Sequence, residues 1–146
     1  MSYVGCLSDL LAIVKRNVDE VDLLVSRYGI SELVSDYVLL NAVLHMLQVV
    51  IQALIDMGSH IMVEKRLKVP SMYSEVPIYL NQVGIISVND SVIFGRMIGF
   101  RNVLMHNYSQ ISIDVLRDIL AKALYRDLLK IAVRLYEYAV SNGIDA

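Results

Sequence analysis

The sequence predicts an all-α protein, a helical bundle of four long helices plus a short one. Three observations lead there. Apolar residues recur at helical spacing along most of the chain, and no segment shows sustained apolar/polar alternation bounded by turns. The two prolines, Pro70 and Pro77, bracket the one obvious break. Hydrophobic residues make up 56% of the 146 residues, and the mean hydropathy of +0.54 calls for extensive buried surface. A chain of this length reads as a single domain, residues 1–146. Such a domain buries roughly two-thirds of its unfolded surface and needs no staple.

The first helix is expected from about Ser8 to Tyr28, with Leu10, Leu11, Val14, Val18, Val21, Leu24 and Val25 on one face and Gly29 as its stop. The second, from about Ser31 to Arg66, is the longest. Its polar residues Asn41, His45, Gln48, Gln52, Asp56 and Ser59 fall three or four apart, so they align into one narrow stripe. Leu, Val, Ile, Met and Ala surround the stripe, the reverse of a surface helix. This helix is therefore buried on most sides, and its stripe faces a wet groove or a symmetric partner. Leu67 to Val76 reads as a loop. Pro77 suits the first position of a short third helix, to about Ile86. Asn89 or Asp90 caps a fourth that passes Phe94, Met97, Ile98 and Arg101 toward His106. Ser112 caps a fifth, with Asp114 near its start, running to Val140 and closed by Gly143.

Several function classes drop out. The net charge is −2 and the pI near 5.9, so no global field draws the protein to nucleic acid. Any RNA contact must be local. No run of about 18 uncharged apolar residues stands out as a membrane span, because the polar stripe and His60 interrupt the most apolar segment. The N-terminus reads as lacking a secretory signal, and the expectation is a cytoplasmic, oligomeric protein. Cys6 is the single cysteine, which rules out an intrachain disulfide or a multi-cysteine metal site. Asp56 and His60 are four apart, but no further ligands complete a metal site, and no phosphate-cradling or dinucleotide motif occurs. No metal and no cofactor are expected. Gly95 and Gly99 are spaced as a small-residue contact and are expected to allow close helix packing, each costing about 1 kcal/mol relative to Ala.

The chemistry concentrates in Arg101-Asn102-Val103-Leu104-Met105-His106-Asn107-Tyr108. Arg101 is a permanent cation that forks two hydrogen bonds onto a phosphate. His106, with a reference pKa of about 6.5, gives or takes a proton near neutrality. Singly, each residue has an ordinary role: a surface ion pair for Arg101, a helix C-terminal contact for His106, packing for Tyr108. Jointly they form a minimal kit for cleaving an RNA phosphodiester without a metal. Asn102 and His106 are four apart and share a helix face. Arg101 and His106 are five apart, about 140° around the axis, and do not converge on one phosphate from a straight helix. Either the helix loosens before His106, or two copies meet and each centre draws residues from both. The second solution also accounts for the excess of apolar residues.

The run Gly99 to Tyr108 resembles the Arg-x-x-x-x-His-x-Tyr signature of HepT-like proteins of the HEPN superfamily. The segment Gln48 to Ile61 is similar to that family's second-helix pattern. The resemblance implies a HEPN-like homodimeric bundle acting as a metal-independent endoribonuclease, the toxin half of a two-gene system. It implies Arg101, His106 and Asn102 as the catalytic group. It also implies an MntA-like minimal nucleotidyltransferase antitoxin that adds AMP units to the motif tyrosine, by position Tyr108. The competing class is a non-catalytic helical module that binds a nucleotide or a nucleotidyltransferase partner.

Overall fold

In the computed structural model, which describes residues 7–144, seven α-helices and one short 3-10 turn follow in order. They are α1 (Leu7–Tyr28), α2 (Ile30–Ser35), α3 (Tyr37–Glu64), α4 (Glu75–Gln82), α5 (Val88–His106), the turn Tyr108–Gln110, α6 (Ile113–Ala121) and α7 (Leu124–Ser141). Cys6 and the side chain of Tyr108 lie outside the described residues. The all-α bundle is as expected, with two of the anticipated long helices broken.

The second long helix divides at Asp36, whose backbone is extended (φ −88°, ψ 123°). Its carboxylate accepts from the Leu39 N–H at 2.9 Å and starts α3 afresh. The fifth divides at Ala123, which sits in the left-handed region at φ 52°. Smaller shifts affect two starts. Ser74 and Glu75 open α4, which places Pro77 third; its missing N–H costs nothing within a first turn. Ser87, rather than Asn89 or Asp90, caps α5 by accepting from the Asp90 N–H at 3.1 Å. Ser112 caps α6 as expected, accepting from Val115 at 3.2 Å. Gly143, at φ 68°, follows α7, and Ile144 donates back to the Ala139 carbonyl at 2.9 Å.

At the centre runs α3, packed against α1, α2, α4, α5 and α7. By length and composition alone this helix would qualify as a membrane span, a test that core helices also pass. Here Val43, Leu47, Val50, Ile51, Leu54, Ile55, Met57 and Ile61 are all fully buried in the protein core. Gly58 belongs to this buried face. A methyl group there would stand 2.6 Å from Val76 Cγ1 and 3.1 Å from Leu80 Cδ1, so glycine lets α4 lie directly on α3. Polar clamps tie the outer helices. Arg126 of α7 grips Asp22 of α1 with Nε at 2.9 and 3.0 Å from its two oxygens. Asp118 of α6 pairs with Arg96 of α5 at 3.7 Å. Burial and the adjoining Asp22 push the Tyr125 hydroxyl up to about 12, so it stays a neutral phenol in the core.

Candidate functional site

The core-facing row of α5 runs through Phe94, Met97 and Ile98, all buried, and Arg101 continues that row one turn on. Its side chain is therefore half-buried, carried under the loop between α3 and α4. There the guanidinium carbon lies 5.1 Å from the centre of the Tyr73 ring, a cation–π distance. Nη1 is 3.5 Å from Asn102 Oδ1, the outer limit of a hydrogen bond. Nε is buried and has no hydrogen-bond partner among the described residues.

An ion pair, the ordinary role for a surface arginine, is not what holds Arg101 among the described residues. The influential carboxylate is Asp56 on α3, which acts through its field. Burial pushes the Asp56 carboxyl above the usual range, opposed by a hydrogen bond from Gln52 and by the positive charge of Arg101. Gln52 Nε2 donates to Asp56 Oδ1 at 2.9 Å. Arg101 thus keeps its N–H donors largely unspent beside a partly screened negative charge.

His106 ends α5 and is exposed. The helix does not loosen before it: the Asn107 N–H donates to the Val103 carbonyl at 2.8 Å, an unbroken turn. That corrects one of the two solutions read from the sequence. Arg101 points toward α3 and the loop, while Asn102 and His106 occupy the outward face. Val88, Val92, Gly95 and Gly99 continue that outward row. Gly95 and Gly99 do not serve packing within the chain, since a methyl group at either would meet nothing within 4 Å. The tight glycine contact is at Gly58 instead. Tyr108 opens the 3-10 turn immediately after His106 and Asn107.

The polar stripe of α3 borders an open groove of about 260 Å³. Gln48, Val49, Gln52 and Asp56 form one wall, and Leu10 and Ile13 of α1 the other. Asp56 therefore joins the groove to the neighbourhood of Arg101. Among the described residues no three His, Cys, Asp or Glu side chains gather as metal ligands. Sequence reasoning missed Tyr73. It lies 28 positions before Arg101 in an irregular loop, and no local spacing could have joined them.

An all-helical bundle with a half-buried arginine and an exposed histidine on one helix end defines a class of site suited to a phosphate and a proton. The family follows from comparison. Residues 14–135 match the model of the HepT-like ribonucleases, described as "Ribonuclease HepT-like", and the chain belongs to that family. No curated protein matches it in sequence. Among solved structures, it superposes on a tri-AMPylated HEPN toxin of Shewanella oneidensis in complex with an MNT antitoxin, with TM-score 0.82 and 21% identity. That match covers 92% of this chain and 99% of the other. A toxin–antitoxin structure with AMP-PNP aligns at TM-score 0.81 and 21% identity, covering 91% and 99%. YutE of Bacillus subtilis, a cytosolic protein of unknown function, aligns at 0.79 and 15%, covering 93% and 90%. The fold is that of HEPN toxins, as the two sequence segments implied.

Proposed function

We propose that this protein is a metal-independent endoribonuclease, the toxin of a two-gene system, working as a cytoplasmic homodimer. The observation that carries the reading is Arg101, half-buried with a buried, unspent Nε–H, within one helical turn and a half of an exposed imidazole. No carboxylate among the described residues forms an ion pair with this guanidinium, and such a cation suits a phosphate. Family membership supplies the reaction class.

In the proposed reaction, His106 takes the proton of the ribose 2′-hydroxyl or returns one to the departing 5′-oxygen. Arg101 stabilises the charge on the pentavalent phosphorane, and Asn102 orients the phosphate or the imidazole. The 2′-oxygen attacks its own phosphate, leaving a 2′,3′-cyclic phosphate, so DNA resists cleavage. Since Arg101 and His106 diverge on one chain, each centre combines the arginine of one copy with the histidine of the other. The partner is an MntA-like minimal nucleotidyltransferase that adds AMP units to Tyr108. The resulting anionic adduct would compete with RNA for Arg101. Similarity to a tri-AMPylated toxin in complex with its antitoxin supports this regulation.

The test incubates purified protein with total RNA and matched DNA in EDTA, beside Arg101→Ala and His106→Ala. RNA-only cleavage should survive the chelator and fall by roughly 10²–10³ or more in each variant. Undiminished cleavage by His106→Ala would reject the assignment. A silent wild type heavier by AMP units would be the neutralised form. A silent wild type of unmodified mass that still binds nucleotide would instead be a non-catalytic binding module.

A further inference from the structure

Arg101 is held by a ring rather than by a carboxylate. A carboxylate partner would orient the guanidinium but would also consume its donors and offset its charge. An aromatic face fixes the plane and leaves the N–H edge open. Tyr73 presents such a face at 5.1 Å. The loop that carries it is itself pinned. Gly58 lets α4 settle directly on α3 through Val76. Glu75 Oε1 accepts from the Ser71 N–H at 2.9 Å, and Lys68 lies 5.2 Å over the Tyr79 ring. Tyr73 is thereby bracketed on both sides by fixed points.

We propose that Tyr73 is the positioning residue for Arg101, its ring face holding the guanidinium plane in a fixed orientation for one phosphate. This rests on the reading of Arg101 as a phosphate ligand. The contact uses the ring and not the hydroxyl, so Tyr73→Phe keeps the function and Tyr73→Leu, apolar but without a ring, loses it. Tyr73 is partly exposed in a loop, so neither variant should compromise folding, which thermal melting checks.

Two readouts test the proposal. In steady-state RNA cleavage, Tyr73→Leu should lose roughly ten- to hundredfold in kcat, the scale of a misplaced group. Its KM should rise by no more than about fivefold, the weakening expected of one phosphate contact, so that kcat carries most of the loss. Tyr73→Phe should track wild type in both. A rise in KM alone would make Tyr73 a platform for a nucleobase and overturn the proposal, as would a Phe variant as impaired as Leu. The second readout is the Arg101 Nε–H NMR resonance during titration with inorganic phosphate, which needs no turnover. Wild type and Tyr73→Phe should share one half-saturation point, and Tyr73→Leu should require roughly fivefold more phosphate. Equal titrations in all three overturn the proposal. A wild type that binds phosphate in this way but cleaves no RNA would reject the ribonuclease reading while leaving the role of Tyr73 standing.

Discussion

Asp56 carries a conflict between burial and charge that pH can expose. Burial raises its carboxyl above the ordinary value, and neither Gln52 nor Arg101 fully offsets that. The folded state thus holds this proton more tightly than the unfolded chain does. The stability contribution is fully present below the unfolded pKa and is lost as pH rises through the raised folded value. At neutral pH the ionised carboxylate is a net burden. Asp56→Asn, whose Oδ1 can still accept from Gln52, should therefore melt higher than wild type at pH 7. The gain is at most about 1 kcal/mol after solvent screening, roughly 2–4 °C for a domain of this size. The gap should close as the pH falls to the unfolded carboxylate range, near about 4. Melting curves of the two proteins across that range decide it, and a gap that widened toward acid would reverse the argument. Such residue-scale chemistry was half legible in the sequence. Arg101, Asn102 and His106 stood out by local spacing, and so did the stripe containing Asp56. The field between Asp56 and Arg101, and the stacking of Tyr73, depend on tertiary approach and left no local trace.

Among the elements, those whose ends are written in side-chain chemistry were readable. Gly29 stops α1, Ser112 caps α6 and Gly143 follows α7, each through a residue type suited to that position. The break at Asp36 was available in principle, because aspartate is a preferred cap, but the apolar pattern runs through it without interruption. The break at Ala123 was not, since alanine is the strongest helix former. There α6 leaves the line of α7 to pack against α2, while α7 packs on α1, α3 and α5. Tertiary contacts override propensity. A sharper element-scale test lies at Gly58. Alanine should gain about 1 kcal/mol in helix propensity, yet its methyl would press on Val76 Cγ1 at 2.6 Å. Val76 is fully buried and branched at Cβ, so it cannot swing aside. Overpacking of about 1–3 kcal/mol should win, lowering the urea midpoint. Because α4 would be lifted from α3, RNA cleavage should weaken as well. A Gly58→Ala protein more stable than wild type would show that α4 yields freely.

For the whole molecule, the open question raised by α5 is what covers its outward row. Val88 is 67% exposed and Val92 55% exposed, and a methyl at Gly95 or Gly99 would touch nothing. The same row ends in Asn102 and His106. Glycines that weaken a helix by about 1 kcal/mol each and pack against nothing in their own chain suit a close approach by a second helix. In the proposed dimer that helix belongs to the other copy, which lines the seam with Asn102 and His106 of both copies. A stable interface needs about 800 Å² from each partner, which an outward face nearly 30 Å long (1.5 Å per residue over 19 residues) can seed. Gly99→Gln separates the two roles. In an isolated chain the longer, helix-favouring side chain should raise stability by several tenths of about 1 kcal/mol. At a helix–helix contact it should force the copies apart. Light scattering should then report a monomer that folds well and melts reversibly, yet has lost RNA cleavage with Arg101 and His106 both intact. A Gly99→Gln protein that stays dimeric and active would place the symmetry axis elsewhere, with the polar stripe of α3 and the groove beside Leu10 and Ile13 as the next surface to probe.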